Sequence, residues 1–168
     1  MTSGMKAARV VCTALVVGVA TVGGAMAQSS GSGGRTVEGT WYIRVTPIIC
    51  ATGEPVPGIP PVNALQTFHP GGTLTETAGG TGFEAGQRSP GHGAWHHEAG
   101  QTFGQKFTAL INFTTVPGFL EAGWRIVEQS VELIDRDTLK SKGNNAFYRT
   151  DGTLYRSGCS TATGRRFE

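Results

Sequence analysis

Four histidines are the first residues in this sequence that could do chemistry. Three crowd one segment, His92, His96 and His97, with His69 upstream. Imidazoles at close spacing suggest zinc, which needs three or four ligands within roughly 2.0–2.3 Å of one centre. The segment reads as a strand, where residues four apart stand about 13 Å from each other and only alternate residues share a face. His92, His96 and Glu98 fall on one face, and only His96 and Glu98 could chelate together. The spacing therefore gives no metal site.

Carboxylates are the next candidates. Glu76, Glu128 and Glu132 lie in strand-like runs. Acid–base catalysis needs such a group on a cavity wall with a shifted pKa. Glu128 and Glu132 alternate with Val127, Val131 and Leu133, which points them to solvent, though Trp124 and Ile126 share their parity. No Ser, His and Asp constellation is present, and Gly-x-Ser-x-Gly is absent. The glycine-rich stretch 79–86 lacks the Gly-Lys-Ser ending and following helix of a phosphate loop, and reads as a loop or flap. These motifs leave the catalytic residues unknown and imply no cofactor.

The chain has 168 residues, which suggests one domain. Lys6 and Arg9 precede an uncharged apolar run over 10–24, and Ala25-Met26-Ala27 follows. This is the pattern of a cleavable secretory signal over 1–27. The run is shorter than the roughly 20 residues needed to span a bilayer, so no membrane span is expected after cleavage. A Ser/Gly-rich leader covers 28–34, and a single domain covers 35–168. The signal takes two of the fourteen Lys and Arg, leaving twelve against twelve acidic residues. With no basic cluster, nucleic acid is not an expected partner. Cys50 and Cys159 survive cleavage, and an even pair in an exported chain reads as a disulfide. The expected location is secreted or periplasmic.

The elements that must position these groups are strands. Short alternating runs rich in Thr, Val, Ile and aromatics are separated by Gly, Pro, Asn and Asp. Strands are predicted over 41–46, 64–69, 73–77, 92–98, 103–115, 124–134, 138–142 (resuming at 146–149) and 153–159. The fifth is the clearest: Phe103, Phe107, Ala109, Ile111 and Phe113 share one face, and Lys106, Thr108, Asn112 and Thr114 the other. Eight antiparallel strands with short connections suit a closed up-and-down barrel, with a β-sandwich as rival. Closure would set Cys50, just past the first strand, beside Cys159 at the end of the last.

Gly39-Thr40-Trp41-Tyr42 resembles the Gly-x-Trp start of the calycin barrels, the lipocalins and avidins. The resemblance implies a lipocalin-like barrel whose tryptophan plugs the closed end. Gly93-Ala94-Trp95 and the hairpin Phe68-His69-Pro70-Gly71-Gly72-Thr73 are similar to features of small exported bacterial barrels of this type. Asp151 and Arg156 do not make that family's Thr-Asp-Tyr turn and closing arginine.

An eight-stranded barrel is either filled by side chains or holds one small ligand. Trp41, Phe68, Trp95, Phe103, Phe107, Phe113 and Trp124 are the aromatic residues expected to point inward and line a pocket, and inward Gly91 and Gly93 would leave space. Three functions follow. The first is a non-catalytic protein that binds a small hydrophobic molecule, with segments 53–61 and 78–91 as lids. The second is a barrel enzyme of the allene oxide cyclase-like type, marked by an inward Glu76 or Glu128 in an open cavity. The third is a secreted interaction or inhibitor protein with a solid barrel and contact-making loops.

Overall fold

The structure is a computed structural model that describes residues 35–80 and 82–167. The expected signal peptide and leader, 1–34, lie outside the described residues. Eight strands follow in chain order: β1 (Gly39–Ile48), β2 (Val62–Phe68), β3 (Thr73–Gly79), β4 (Gly91–Ala99), β5 (Thr102–Ile111), β6 (Gly123–Leu133), β7 (Thr138–Arg149) and β8 (Leu154–Arg166). Each pairs antiparallel with the next, and β8 pairs back onto β1. The result is a closed eight-stranded up-and-down barrel, all-β, and not the rival sandwich. The closing seam runs from Trp41 opposite Arg166 to Ile48 opposite Cys159. Closure leaves no strand edge open to pairing with another chain.

Alternation builds the wall. Along β6, Val127, Gln129, Val131 and Leu133 are buried, while Glu128, Ser130 and Glu132 are exposed. The outer surface carries mid-strand charges such as Arg44, Lys106, Glu128, Lys140 and Lys142. Among the described residues, no helix is long and apolar enough to cross a membrane.

Three strand ends differ from the sequence reading. β5 stops at Ile111 because Asn112 turns away: its backbone N–H donates to the Gln87 carbonyl at 2.8 Å and its side-chain amide to the Gly86 carbonyl at 2.7 Å. Phe113 therefore stands beyond the strand and is 41% exposed. β7 runs unbroken through Gly143-Asn144-Asn145. A Cβ on Gly143 would lie 2.1 Å from the Glu128 carbonyl oxygen, so this glycine permits close strand approach and makes no turn. β8 continues to Arg166 because β1 and β7 pair with it on both sides.

The two ends of the barrel differ. Tight turns join β2 to β3, β4 to β5 and β6 to β7 at the base. Longer segments, 49–61, 80–90 and 112–122, join strands at the opposite mouth. Trp41 fills the base with no exposed surface. Its indole N–H donates to the Val37 carbonyl at 2.8 Å. The guanidinium of Arg166 lies 4.2 Å over the indole ring and donates to the carbonyls of Thr36 at 3.0 Å and Arg136 at 2.9 Å. Arg156, which the sequence reading set aside as a closing arginine, lies away from this base, at the start of β8. Phe68, Trp95 and Phe103 pack edge to face above Trp41, with centroids 6.1 and 5.9 Å apart. Val131, Leu133 and Leu139 complete this dry base.

At the mouth, Cys50 and Cys159 form the expected disulfide, with Cα atoms 5.2 Å apart and a sequence separation of 109.

Candidate functional site

A cavity of about 420 Å³ occupies the mouth half of the barrel, within the roughly 300–1,000 Å³ of small-molecule sites. Its aliphatic wall comes from β1 and β2: Ile43, Val45, Val62 and Ala64. These are inward residues of alternating strands with little bulk near the mouth, so the barrel is not filled there. Val56 and Ile59 of segment 49–61, Phe83 of segment 80–90 and Phe119 of segment 112–122 contribute to the rim. Both segments expected to act as lids therefore reach the cavity edge.

Segment 80–90 is held against β5. Gln87, fully buried, donates through its amide to the Phe113 carbonyl and the Thr115 hydroxyl, each at 3.1 Å. The Ser89 N–H donates to the Leu110 carbonyl at 3.0 Å. This anchoring aims Arg88 inward, where its side chain is only 4% exposed and ion-pairs with Glu76 at 2.5 Å. Glu76, 6% exposed, faces the cavity from β3.

Below the cavity a belt of amides crosses the barrel. Gln66 on β2 donates to Gln105 on β5. The Gln105 amide donates to Gln129 on β6 at 2.8 Å, and the Gln129 amide to the Ser160 hydroxyl on β8 at 3.0 Å. Asn145 on β7 donates to the same hydroxyl at 3.1 Å, and its carbonyl oxygen accepts from Arg125 on β6. Each residue is an inward position of its strand, so the belt follows from register. A satisfied network of this kind is rigid, because each broken link would strand a buried polar group.

Arg125 faces the cavity from the wall across the ring from β2. Its guanidinium carbon lies 5.4 Å from the Phe147 ring centroid, and its buried Nε has no hydrogen-bond partner among the described residues. Burial pushes its pKa down to about 10, with the charge of Arg88 adding to the shift and Glu76 opposing it. It is still a cation at neutral pH. Arg156, at the rim, lies 4.0 Å over the Phe119 ring and 5.5 Å from Phe147. Burial lowers its pKa too.

The residues singled out by sequence separate into three places. Trp41, Phe68, Trp95 and Phe103 pack in the base. Phe107 alone of the seven aromatics lines the cavity. Trp124 lies on the outer face of β6, stacked on Tyr148 at 5.6 Å, and Phe113 is outside the barrel. The room expected at Gly91 and Gly93 is occupied. A Cβ on Gly91 would meet Glu76 at 2.8 Å and Phe107 at 2.9 Å; one on Gly93 would meet the Lys106 carbonyl at 2.0 Å. These glycines admit Phe107 and Glu76 to the interior.

The histidines stay apart. His92 and His96 are exposed on the outer face of β4, and His96 stands 3.8 Å from Glu98. His97 packs 5.2 Å from Phe103, and His69 hydrogen-bonds Thr75 at 3.1 Å. No group of three metal-ligating side chains occurs among the described residues. Glu128 is exposed and pairs with Lys106 at 3.0 Å.

The polar residues of the interior were missed because amides and arginines on a strand read as outward. The available signal was parity: Gln105 and Gln129 sit in register with Phe103, Phe107, Val127 and Val131. No protein-family model matches this sequence, and no curated protein is significantly similar to it.

Proposed function

We propose that this protein is exported and binds a small, largely apolar molecule in the mouth half of its barrel without transforming it. The observation that carries this reading is the cavity itself: an open space with an aliphatic wall, floored by a rigid polar belt. Apolar surface removed from water contributes about 25 cal/mol per Å², and walls fixed by a closed sheet cost little ordering on binding. The disulfide suits an oxidising compartment outside the cytoplasm.

The test uses a neutral apolar fluorophore, N-phenyl-1-naphthylamine. Saturable one-to-one uptake is expected, and Ala64→Trp, which fills the cavity, should abolish it. Absence of saturable uptake by the folded wild-type protein would count against the reading. N-terminal sequencing of protein from its own host should begin at Gln28 if the export signal is cut after Ala27.

An enzyme reading draws on one observation, the buried inward Glu76. Its carboxylate is taken by Arg88. The solid-barrel interaction reading draws less support from a barrel with a cavity of about 420 Å³ at its mouth.

A further inference from the structure

The cavity has an imbalance of charge. Among the described residues Glu76 is its only acidic lining residue, and that charge is matched by Arg88. Arg125 and Arg156 also line it, and neither has a carboxylate partner among the described residues. Their contacts are with neutral groups. Arg125 donates to the Asn145 carbonyl oxygen and lies by Phe147; Arg156 donates to the Phe119 carbonyl at 3.0 Å and lies over that residue's ring. A desolvated guanidinium without a counter-charge is costly. The Nε–H of Arg125 is buried with no acceptor among the described residues. An anion in the cavity would supply the missing counter-charge.

The walls specify the rest of that anion. The β1–β2 wall is aliphatic, and the wall across the ring carries Arg125. A fully polar anion such as inorganic phosphate would leave Ile43, Val45 and Val62 facing its hydration shell. A fully apolar molecule would leave Arg125 unpaired. Only a molecule with both characters satisfies both walls.

We infer that the ligand is an amphiphilic monoanion, an apolar body ending in a carboxylate, and that Arg125 holds its head. This rests on the binding reading above and narrows its ligand class. The guanidinium fork suits a carboxylate through two parallel N–H···O bonds. One terminal nitrogen of Arg125 is already fixed by Asn145, which holds the fork in place. Arg156 at the rim attracts the same charge during approach.

The experiment is calorimetric titration of the purified protein with decanoate and with decan-1-ol, which share chain length and differ in charge. Decanoate should bind about tenfold tighter or better, as expected for one charged hydrogen-bonded contact. Arg125→Gln should remove that advantage, so that decanoate and decan-1-ol bind this variant with equal affinity, and Arg125→Lys should restore part of it. Equal affinity for the two ligands overturns the anionic head and leaves the apolar-binding reading standing. Tighter decanoate binding that survives in Arg125→Gln overturns the assignment of Arg125. Binding of neither, together with no uptake of the neutral fluorophore, overturns both readings. Should Arg125→Gln fail to fold, Asn145→Ala, which frees the Arg125 fork, should reduce the decanoate advantage in wild-type background; no change there counts against the inference.

Discussion

Below the glutamine belt the barrel interior is dry and aromatic; above it, the same eight strands enclose space and charge. The base packs Trp41, Phe68, Phe103 and Leu139 with almost no exposure. The mouth half has Val45, Val62 and Ala64 on one side and Arg125 on the other. Both halves obey the same alternation. What differs is the size of the inward side chain and the length of the connections, all tight at the base and, except for the β7–β8 turn, long at the mouth. Stability and capacity for a guest can therefore be divided along the barrel axis instead of competing for the same residues.

The sharpest way to test that division is to empty the base. Trp41→Ala removes the plug and the platform for Arg166, and should cost about 3–5 kcal/mol, read by chemical denaturation. A loss under about 1 kcal/mol would show that the base is not the seat of stability. At the mouth, the double substitution Cys50→Ser with Cys159→Ser should cost about 2–4 kcal/mol, because the bond closes a long loop in the unfolded chain. If the division holds, the base aromatic signals in near-ultraviolet circular dichroism should persist in the folded variant.

The boundary between the halves can be broken by Gln105→Leu. It removes the donor to Gln129 and the acceptor for Gln66, and should cost about 1–3 kcal/mol for the polar groups left unpaired. Thermal unfolding would measure it. A neutral result would mean water replaces the amide, and that the belt is wet.

The smallest effect expected is a pH-dependent one. Glu121 accepts from Arg149 at 2.6 and 3.0 Å, tying segment 112–122 to the end of β7. The Arg149 side chain holds the Glu121 carboxyl below the usual carboxylate range. A depressed folded-state pKa contributes stability that is present above the unfolded value, about 4.3, and is lost as pH falls through the folded value. Hydrogen exchange in residues 115–122 should therefore rise, beyond its intrinsic pH dependence, as pH drops below about 4, while the base remains protected. Glu121→Gln should show the faster exchange already at neutral pH.

The sequence told most about parts governed by alternation. Eight strands, the closure of β1 on β8 and the disulfide followed from runs such as 103–111 and from the placement of Cys50 and Cys159; the base tryptophan was implied by the Gly-x-Trp resemblance. It told least where an inward position holds a polar residue. Gln66, Gln105, Gln129 and Asn145 are stable inside only because four different strands bring them together, and that satisfaction is invisible in one strand. Arg88 was hidden for a similar reason: its burial depends on Gln87 pinning a loop to β5. Gly91 and Gly93 misled because a missing side chain looks like space, when it marks where Phe107 crosses.

The β1–β8 seam carries a further meaning. Every other neighbouring pair of strands is joined through the chain itself; this pair alone has no connecting turn. The Cys50–Cys159 bond ties the two strands at the rim, and Arg166, gripping the backbone around Thr36 and the Trp41 ring, ties them at the floor. The linear polypeptide is thereby made into a hoop. With its one natural split riveted at both ends, the wall has no preferred place to unzip, and the points at which it could be cut and rejoined without harm move to the long rim connections.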